Sequence, residues 1–185
     1  MAMKLGIIGI TKEDFFEGEA AAIMKLLDAR VSRMHIRKPD ASLAEVEALI
    51  RGIRPEYYRR LTIHYQLELQ PQMGLGGVHL NVRRPMLPAY IDRRNTLVSR
   101  SCHSLKEVEE YCDEVDYLFL SPIFDSISKQ GYGSKFTMQD LKEAQRAGII
   151  NEKVVAMGGV TSNRIATISS LGFGGAALLG ALWTF

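Results

Sequence analysis

The sequence predicts an α/β protein: a single domain over residues 1–185, folded as a shortened (β/α)8 barrel. Three observations predict it. Eight short, almost uniformly apolar runs punctuate the chain; amphipathic stretches with helix-start signals alternate with them; and glycines and polar residues gather where the runs end. Apolar runs without alternation suit parallel strands buried on both faces. Strand–helix repetition implies right-handed crossovers within one parallel sheet. Eight strands point to closure, although the 185 residues fall short of the roughly 200 or more that such barrels use. An open doubly wound sheet is the alternative that this length leaves.

The predicted strands are 4–10, 33–37, 61–65, 77–80, 97–101, 117–121, 154–157 and 176–179. Between the first two, 15–29 carries apolar residues near a 3.6-residue period. Ser42 caps a helix over 43–53, with Glu45 at the capping-box position three residues on. The stretch 104–112 opens S-L-K-E with the same signal, and 137–147 opens T-M-Q-D and stops at Gly148. A last helix spans 162–171 and ends at Gly172. After the third and fourth strands, 66–75 and 82–94 contain Pro71, Pro85 and Pro88, so the outer helices there are short or absent. Only a few residues follow the eighth run, so helix 8 is expected to be missing.

Composition narrows the function. Lys and Arg number 23 against 21 Asp and Glu, a net charge of +2. This balance argues against a dedicated nucleic-acid binder, and attraction to anions must be local. Cys102 and Cys112 form no CxxC pair and read as reduced thiols. The first apolar run is too short for a secretory signal, and no segment approaches the ~20 apolar residues of a membrane span. A cytoplasmic location is the expectation.

In such a barrel the site lies where strands end and βα loops begin. The second strand ends in His35-Ile36-Arg37-Lys38-Pro39, where Arg37 offers forked donors to a phosphate or carboxylate; a rim salt bridge is its plainer use. The third ends in Ile63-His64-Tyr65, with His64 either a satisfied structural histidine or a functional one. His79 alternates with apolar neighbours and points into the barrel as a structural residue. In Ser101-Cys102-His103-Ser104, a hydroxyl and a histidine before a helix suit an anion, or Ser104 is only the N-cap. Cys102 and His103 face opposite sides and make no nucleophile pair. The sixth loop carries Ser126, Ser128, Lys129, Gly131 and Gly133, which suit a departing pyrophosphate or form a polar loop. Gly158-Gly159 and Leu179-Gly180 follow the seventh and eighth strands, at the common phosphate site of these barrels. A tight turn is the competing use of the paired glycines.

Taken together, MHIRKP, GGVHL, SRSCHSLKEV, VDYLFLSPIFDSISKQGYG, VVAMGGVTSNRI and GFGGAALLGAL resemble the thiamine phosphate synthase/TenI family over nearly the whole chain. The resemblance implies a (β/α)8 barrel. Synthases of this family join a pyrimidine pyrophosphate to a thiazole phosphate with Mg²⁺ and release pyrophosphate; TenI-type members isomerise the thiazole phosphate or have unassigned roles. By resemblance, Arg37 meets pyrophosphate and Ser101 is the S-x-H hydroxyl. Ser126, Ser128 and Lys129 match T-x-T-K with Ser for Thr. Gly158 and Gly159 bind the thiazole phosphate, and Leu179–Gly180 supplies the second backbone clamp.

The departures are as informative. His64-Tyr65 stands where synthases carry Asn-Asp, and Asn81-Val82-Arg83-Arg84 where they carry a second metal-binding Asp. Lys38-Pro39 replaces Glu-Lys, and Pro122 stands where TenI-type members carry their acid/base histidine. These matches imply a TenI-like protein acting on thiazole phosphate, with His64, Ser101 and Lys129 as catalytic residues and no metal ligands. His64 then relays the proton, as neutral imidazole does near pH 7. The alternatives are a synthase with an altered Mg²⁺ site, in which Arg83 or Arg84 partly replaces the ion, and a non-catalytic phosphate-ligand binder. Expected partners are a phosphorylated thiazole and, for a synthase, the pyrimidine pyrophosphate; no nucleic acid or membrane is expected. Reduced outer helices leave apolar barrel surface for a second subunit, so a homo-oligomer is among the expectations.

Overall fold

The structure is a computed structural model that describes residues 5–125 and 135–183. Its strands are β1 (Gly6–Ile10), β2 (Arg33–Ile36), β3 (Leu61–Ile63), β4 (Gly77–Leu80), β5 (Leu97–Cys102), β6 (Tyr117–Leu120), β7 (Val154–Ala156) and β8 (Gly175–Leu178). They pair in chain order, all parallel, and β8 closes on β1 from Gly6↔Gly175 to Gly9↔Leu178. Closure removes the open doubly wound sheet from consideration.

The outer layer holds α1 (Glu19–Ala29), α2 (Leu43–Arg51), α3 (Leu69–Met73), α4 (Leu105–Tyr111), α5 (Met138–Arg146) and α6 (Ile165–Ser170). The capping signals act as read. The Ser42 hydroxyl accepts from the Glu45 N–H while the Glu45 carboxylate accepts from the Ser42 N–H, and Thr137 and Asp140 repeat the exchange. Ser104 accepts from the Glu107 N–H at the start of α4.

Two expectations need adjustment, and the short or absent helices after the third and fourth strands are borne out. The first helix begins at Glu19, not at 15, because Gly18 is left-handed at φ 78° and ends the preceding turn. Phe15 and Phe16 leave the helix to pack on Lys38 and edge-on against Trp183. The final predicted helix splits into a 3-10 turn, Ser162–Arg164, and α6. After β3 the helix shrinks to α3, with Pro71 in its first turn, where the missing N–H costs nothing. After β4 the described chain has no helix: Asn81 Oδ1 accepts from the N–H groups of Arg83 and Arg84 and folds a tight turn.

A 3-10 turn, Gly180–Leu182, stands where an eighth helix would begin. Leu182 is fully buried and lies so close to β1 that a Cβ on Gly9 would come within 2.8 Å of it. The Trp183 indole N–H donates to the Ile10 carbonyl at 2.8 Å. These two side chains cover part of the outer face of β1.

Two apolar cores result. The larger fills the space between strands and helices. The smaller, with Ile8, Ile10, Tyr117, Phe119, Val155 and Ala177, occupies the inside of the barrel. No helix among the described residues is long and apolar enough to cross a membrane.

One buried ion pair ties the first loop to β2. Lys38 is fully buried, its ammonium 2.9 Å from both Glu19 carboxylate oxygens, 2.8 Å from the Asp14 carbonyl and 4.3 Å from the centre of the Phe15 ring. Burial raises the Glu19 carboxyl above its usual range, and Lys38 opposes that rise. Removing one partner strands the other charge in the interior. Lys38→Met is therefore expected to lower the unfolding free energy by about 3–5 kcal/mol, read from urea denaturation. Adding Glu19→Leu should recover most of that loss; a double variant no more stable than the single one would show that the pair is not what holds this loop.

Candidate active site at the barrel mouth

Alternate residues of a strand face the same side. With Ile8 and Ile10 inside on β1 and Tyr117 and Phe119 inside on β6, the inner positions of β2, β3, β4 and β5 fall to His35, Thr62, His79, Ser99 and Ser101. His64 follows β3 on the same parity. The barrel interior is thus divided: apolar along β1, β6, β7 and β8, and polar along β2 to β5.

The polar side holds two hydrogen-bonded sets packed ring against ring. His35 Nδ1 lies 2.9 Å from His64 Nε2, and His35 Nε2 lies 2.8 Å from the Tyr117 hydroxyl. His79 Nδ1 is 2.8 Å from Ser99 Oγ, and its Nε2 is 2.8 Å from Ser101 Oγ. The His64 and His79 rings stack at 4.1 Å, and Phe119 lies against both His35 and His79. Among the described residues no buried side-chain nitrogen or oxygen lacks a partner.

Burial holds all three imidazoles neutral. It pushes His35 and His64 well below the usual histidine range and His79 down to about 3. Neighbouring cations add to this: Arg33 acts on His35, Arg37 on His64 and His79, and Arg100 on His79. Burial likewise raises the Tyr117 phenol, so the whole cluster is uncharged at pH 7.

The sequence-predicted residues fall into three groups. Arg37, His64 and Ser101 converge on this cluster. Arg37 is partly exposed above it, its N–H bound to the Thr11 hydroxyl at 2.8 Å and its guanidinium paired with the half-exposed Glu13. Such surface pairs are worth about 0–1 kcal/mol, so Glu13 holds the Arg37 guanidinium only weakly. Gly158 and Gly159, at φ 92° and 61°, face the loop after β6: added Cβ atoms would lie 2.7 Å from Pro122 Cα and 2.5 Å from the Asp125 carbonyl. Among the described residues no hydrogen bond uses their own N–H groups. Leu179 and Gly180 follow β8, next to β7 in the barrel. Ser126, Ser128 and Lys129 lie outside the described residues.

His79 is buried inside the barrel, on the side where its alternation places it, and burial pushes the Cys102 thiol up to about 12, which leaves it unreactive. His35 and Tyr117 were not singled out from the sequence. The available signal was parity: His35 stands two residues before Arg37, and Tyr117 opposite Ser99.

The nitrogens of His35, His64 and His79 lie within 4.8 Å of one another. As they stand they do not form a metal centre. Two rings are stacked, so their in-plane lone pairs run side by side instead of converging, and five of the six ring nitrogens already hold hydrogen bonds.

A family model described as thiamine monophosphate synthase (TMP-TENI) matches residues 7–182. The chain belongs to the thiamine monophosphate synthase family. A thiamine-phosphate synthase of Methanoculleus marisnigri is 27% identical over 179 residues, covering 94% of this chain and 81% of that protein. The Actinobacillus pleuropneumoniae synthase is 28% identical over 115 residues, and the match covers 60% of this chain and about half, 52%, of that protein. Among solved structures, the thiamine phosphate pyrophosphorylase of Bacteroides thetaiotaomicron superposes with TM-score 0.87 at 36% identity, covering 96% of this chain and 84% of that one. A Pyrococcus furiosus thiamine phosphate pyrophosphorylase, at TM-score 0.76 and 19% identity over 96% of this chain and 87% of that one, shares the fold.

Family resemblance implies Mg²⁺ at the ends of β3 and β4, and the residues here do not fit it. Mg²⁺ takes hard oxygen ligands, above all carboxylates. These strand ends present His64, Tyr65, Asn81, Arg83 and Arg84, and the Asn81 side-chain oxygen is committed to its own turn. A cleft of about 260 Å³ beside Tyr65 is lined by Arg83 and Arg84, with Glu68 as its carboxylate.

Neutral burial makes stability depend on pH. Unfolded histidines titrate near 6.5, whereas the folded ones take protons only at much lower pH. Their contribution is present in full above pH ~6.5 and is eroded as pH falls toward the folded values. Denaturant unfolding between pH 7.5 and 4.5 should show this decline. In His79→Gln its slope should be shallower by about 1.4 kcal/mol per pH unit, one proton's worth. An unchanged slope would place the titration elsewhere.

Proposed function

We propose that this family member is a TenI-like enzyme that isomerises a thiazole phosphate at the mouth of the barrel. The observation that carries the reading is His64: a neutral imidazole just after β3, close enough to Arg37 to feel its charge, with one ring nitrogen held by His35 and the other without a hydrogen bond among the described residues. Isomerisation moves a proton between two atoms of one molecule. It has no pyrophosphate to release, so it needs a neutral acid–base group more than a divalent cation.

Each residue then has a role. Arg37 exchanges Glu13 for an anionic oxygen of the substrate. The unengaged N–H groups of Gly158 and Gly159 cradle the phosphate, with Leu179 and Gly180 alongside, and the Arg164 guanidinium stiffens this turn through its 2.7 Å bond to the Gly159 carbonyl. His64 handles the proton, and Ser101 lies beside it through His79. By resemblance, Lys129 takes part in catalysis and Ser126 and Ser128 bind phosphate; all three lie outside the described residues.

A second reading rests on the names of the relatives, which are synthases and pyrophosphorylases. In it the chain joins the thiazole phosphate to a pyrimidine pyrophosphate, with Arg37 and the arginines after β4 facing the leaving group.

Calorimetry separates the two. Thiazole phosphate is expected to bind alone, with a Kd unaffected by Mg²⁺. Arg37→Gln should weaken binding about 10–100-fold, the worth of a charge-assisted hydrogen bond. His64→Ala should bind nearly as well but isomerise about 100-fold more slowly, in the range of general acid–base catalysis. Mg²⁺-dependent release of pyrophosphate from the two substrates would establish the synthase reading instead. Undiminished turnover by His64→Ala would remove His64 from the mechanism.

A further inference from the structure

The turn after β4 presents two cations that no described carboxylate neutralises. Asn81 and Arg84 exchange backbone hydrogen bonds at 3.0 Å each way, and Asn81 Oδ1 accepts from the Arg83 and Arg84 N–H groups at 2.9 and 3.1 Å. From β5 the Arg100 guanidinium donates to the Pro85 carbonyl at 2.9 Å and lies 3.8 Å from the centre of the Tyr111 ring. The backbone that carries Arg83 and Arg84 is therefore fixed from within the turn and from the neighbouring strand.

Most arginines of the described chain are engaged. Arg37, Arg51, Arg93 and Arg94 pair with carboxylates, and Arg60 and Arg100 bond to backbone carbonyls. The side chains of Arg83 and Arg84 hold no hydrogen bond or ion pair with any described residue. Both are exposed, and both line the cleft of about 260 Å³ beside Tyr65. Tyr90 and Met86 add apolar wall, and Glu68 is the one carboxylate in the lining. Two guanidiniums against one unpaired carboxylate leave the cleft cationic. None of Arg37, His64 and Ser101 lines it.

The chemistry of the lining selects the ligand. A guanidinium is a planar fork that stays charged at any working pH and meets phosphate oxygens two at a time. Two of them on consecutive residues suit an anion with more charge than a single phosphate group brings. A hard divalent cation finds little here in return, since Asn81 Oδ1 is committed to its own turn and Glu68 stands alone. We propose that this cleft is a metal-independent site for a pyrophosphate-type anion, in which Arg83 and Arg84 supply the positive charge that the family resemblance assigns to Mg²⁺. An organic group carried by the anion lies against Tyr65, Tyr90 and Met86. The proposal concerns binding, with no bond made or broken, and it goes beyond the isomerase reading without depending on it.

Mg²⁺ then acts as a competitor, because the ion and the arginines seek the same oxygens. Calorimetric titration of the full chain with inorganic pyrophosphate should show binding in the presence of a metal chelator, and excess Mg²⁺ should weaken it. Orthophosphate should bind more weakly than pyrophosphate. Arg83→Gln and Arg84→Gln should each weaken pyrophosphate binding about 10-fold or more, the worth of a hydrogen bond to a charged group. Their side chains have no partner among the described residues, so both variants should keep the parent's circular dichroism spectrum. Arg146→Gln, which removes a cation from the last turn of α5, should leave the Kd unchanged. Absence of metal-free binding, binding that appears only with Mg²⁺, or an affinity unmoved by both substitutions in the turn would overturn the site. So would loss of binding in Arg37→Gln alone, which would move the anion to that side chain. Thiazole phosphate turnover is measured separately: its absence beside metal-free pyrophosphate binding would remove the isomerase reading and leave this site standing.

Discussion

The inside of this barrel is held by one requirement: every polar atom on its β2-to-β5 side must find a partner where water does not reach. Three histidines, two serines and a tyrosine satisfy one another, so that each ring fixes the orientation of the next. Partial substitution is therefore more disruptive than the loss of one hydrogen bond suggests, because it leaves the neighbour's donor or acceptor orphaned. The apolar side, from Ile8 to Ala177, sets no such condition and supplies the tight filling against which the polar side is aligned.

The same division explains how the mouth differs from the bottom of the barrel. Cations gather at or near the polar strands, at Arg33, Arg37 and Arg100, and add to the burial that keeps the histidines uncharged. Arg37 is partly exposed and paired with the half-exposed Glu13, while Lys38 beside it is sealed against Glu19. Neighbouring cations in the sequence thus sit in opposite settings: one is held weakly in a half-exposed pair, and the other anchors the loop that carries Glu13.

Much of the fold was legible because its signals are local. Apolar runs gave all eight strands within a few residues, and the caps at Ser42, Ser104 and Thr137 act as their spacing indicates. The start of the first helix was misplaced because Phe15 and Phe16 continue its apolar period while packing on Lys38 and Trp183, which are distant in sequence. Arg37, His64 and Ser101 stood out as polar residues at strand ends. The contact between His64 and Ser101 did not, since it runs through His79, and that meeting depends on register across separate strands. The Lys38–Glu19 pair was hidden for the same reason: nothing in either residue's neighbourhood announces that both will be buried.

The last turn of the described chain has a consequence for how the protein is made. Trp183 bonds to the carbonyl of Ile10, and β8 pairs with β1 along its length, a separation of 173 residues for the indole contact alone. During synthesis β1 can gain β2 early, but its other edge stays open until residues 175–183 have left the ribosome. Contacts so far apart in sequence form late, and an open apolar strand edge invites pairing with other chains. The nascent protein therefore spends most of its translation with one side of its first strand uncovered, and Gly9, Leu182 and Trp183 together form the latch that ends that exposure.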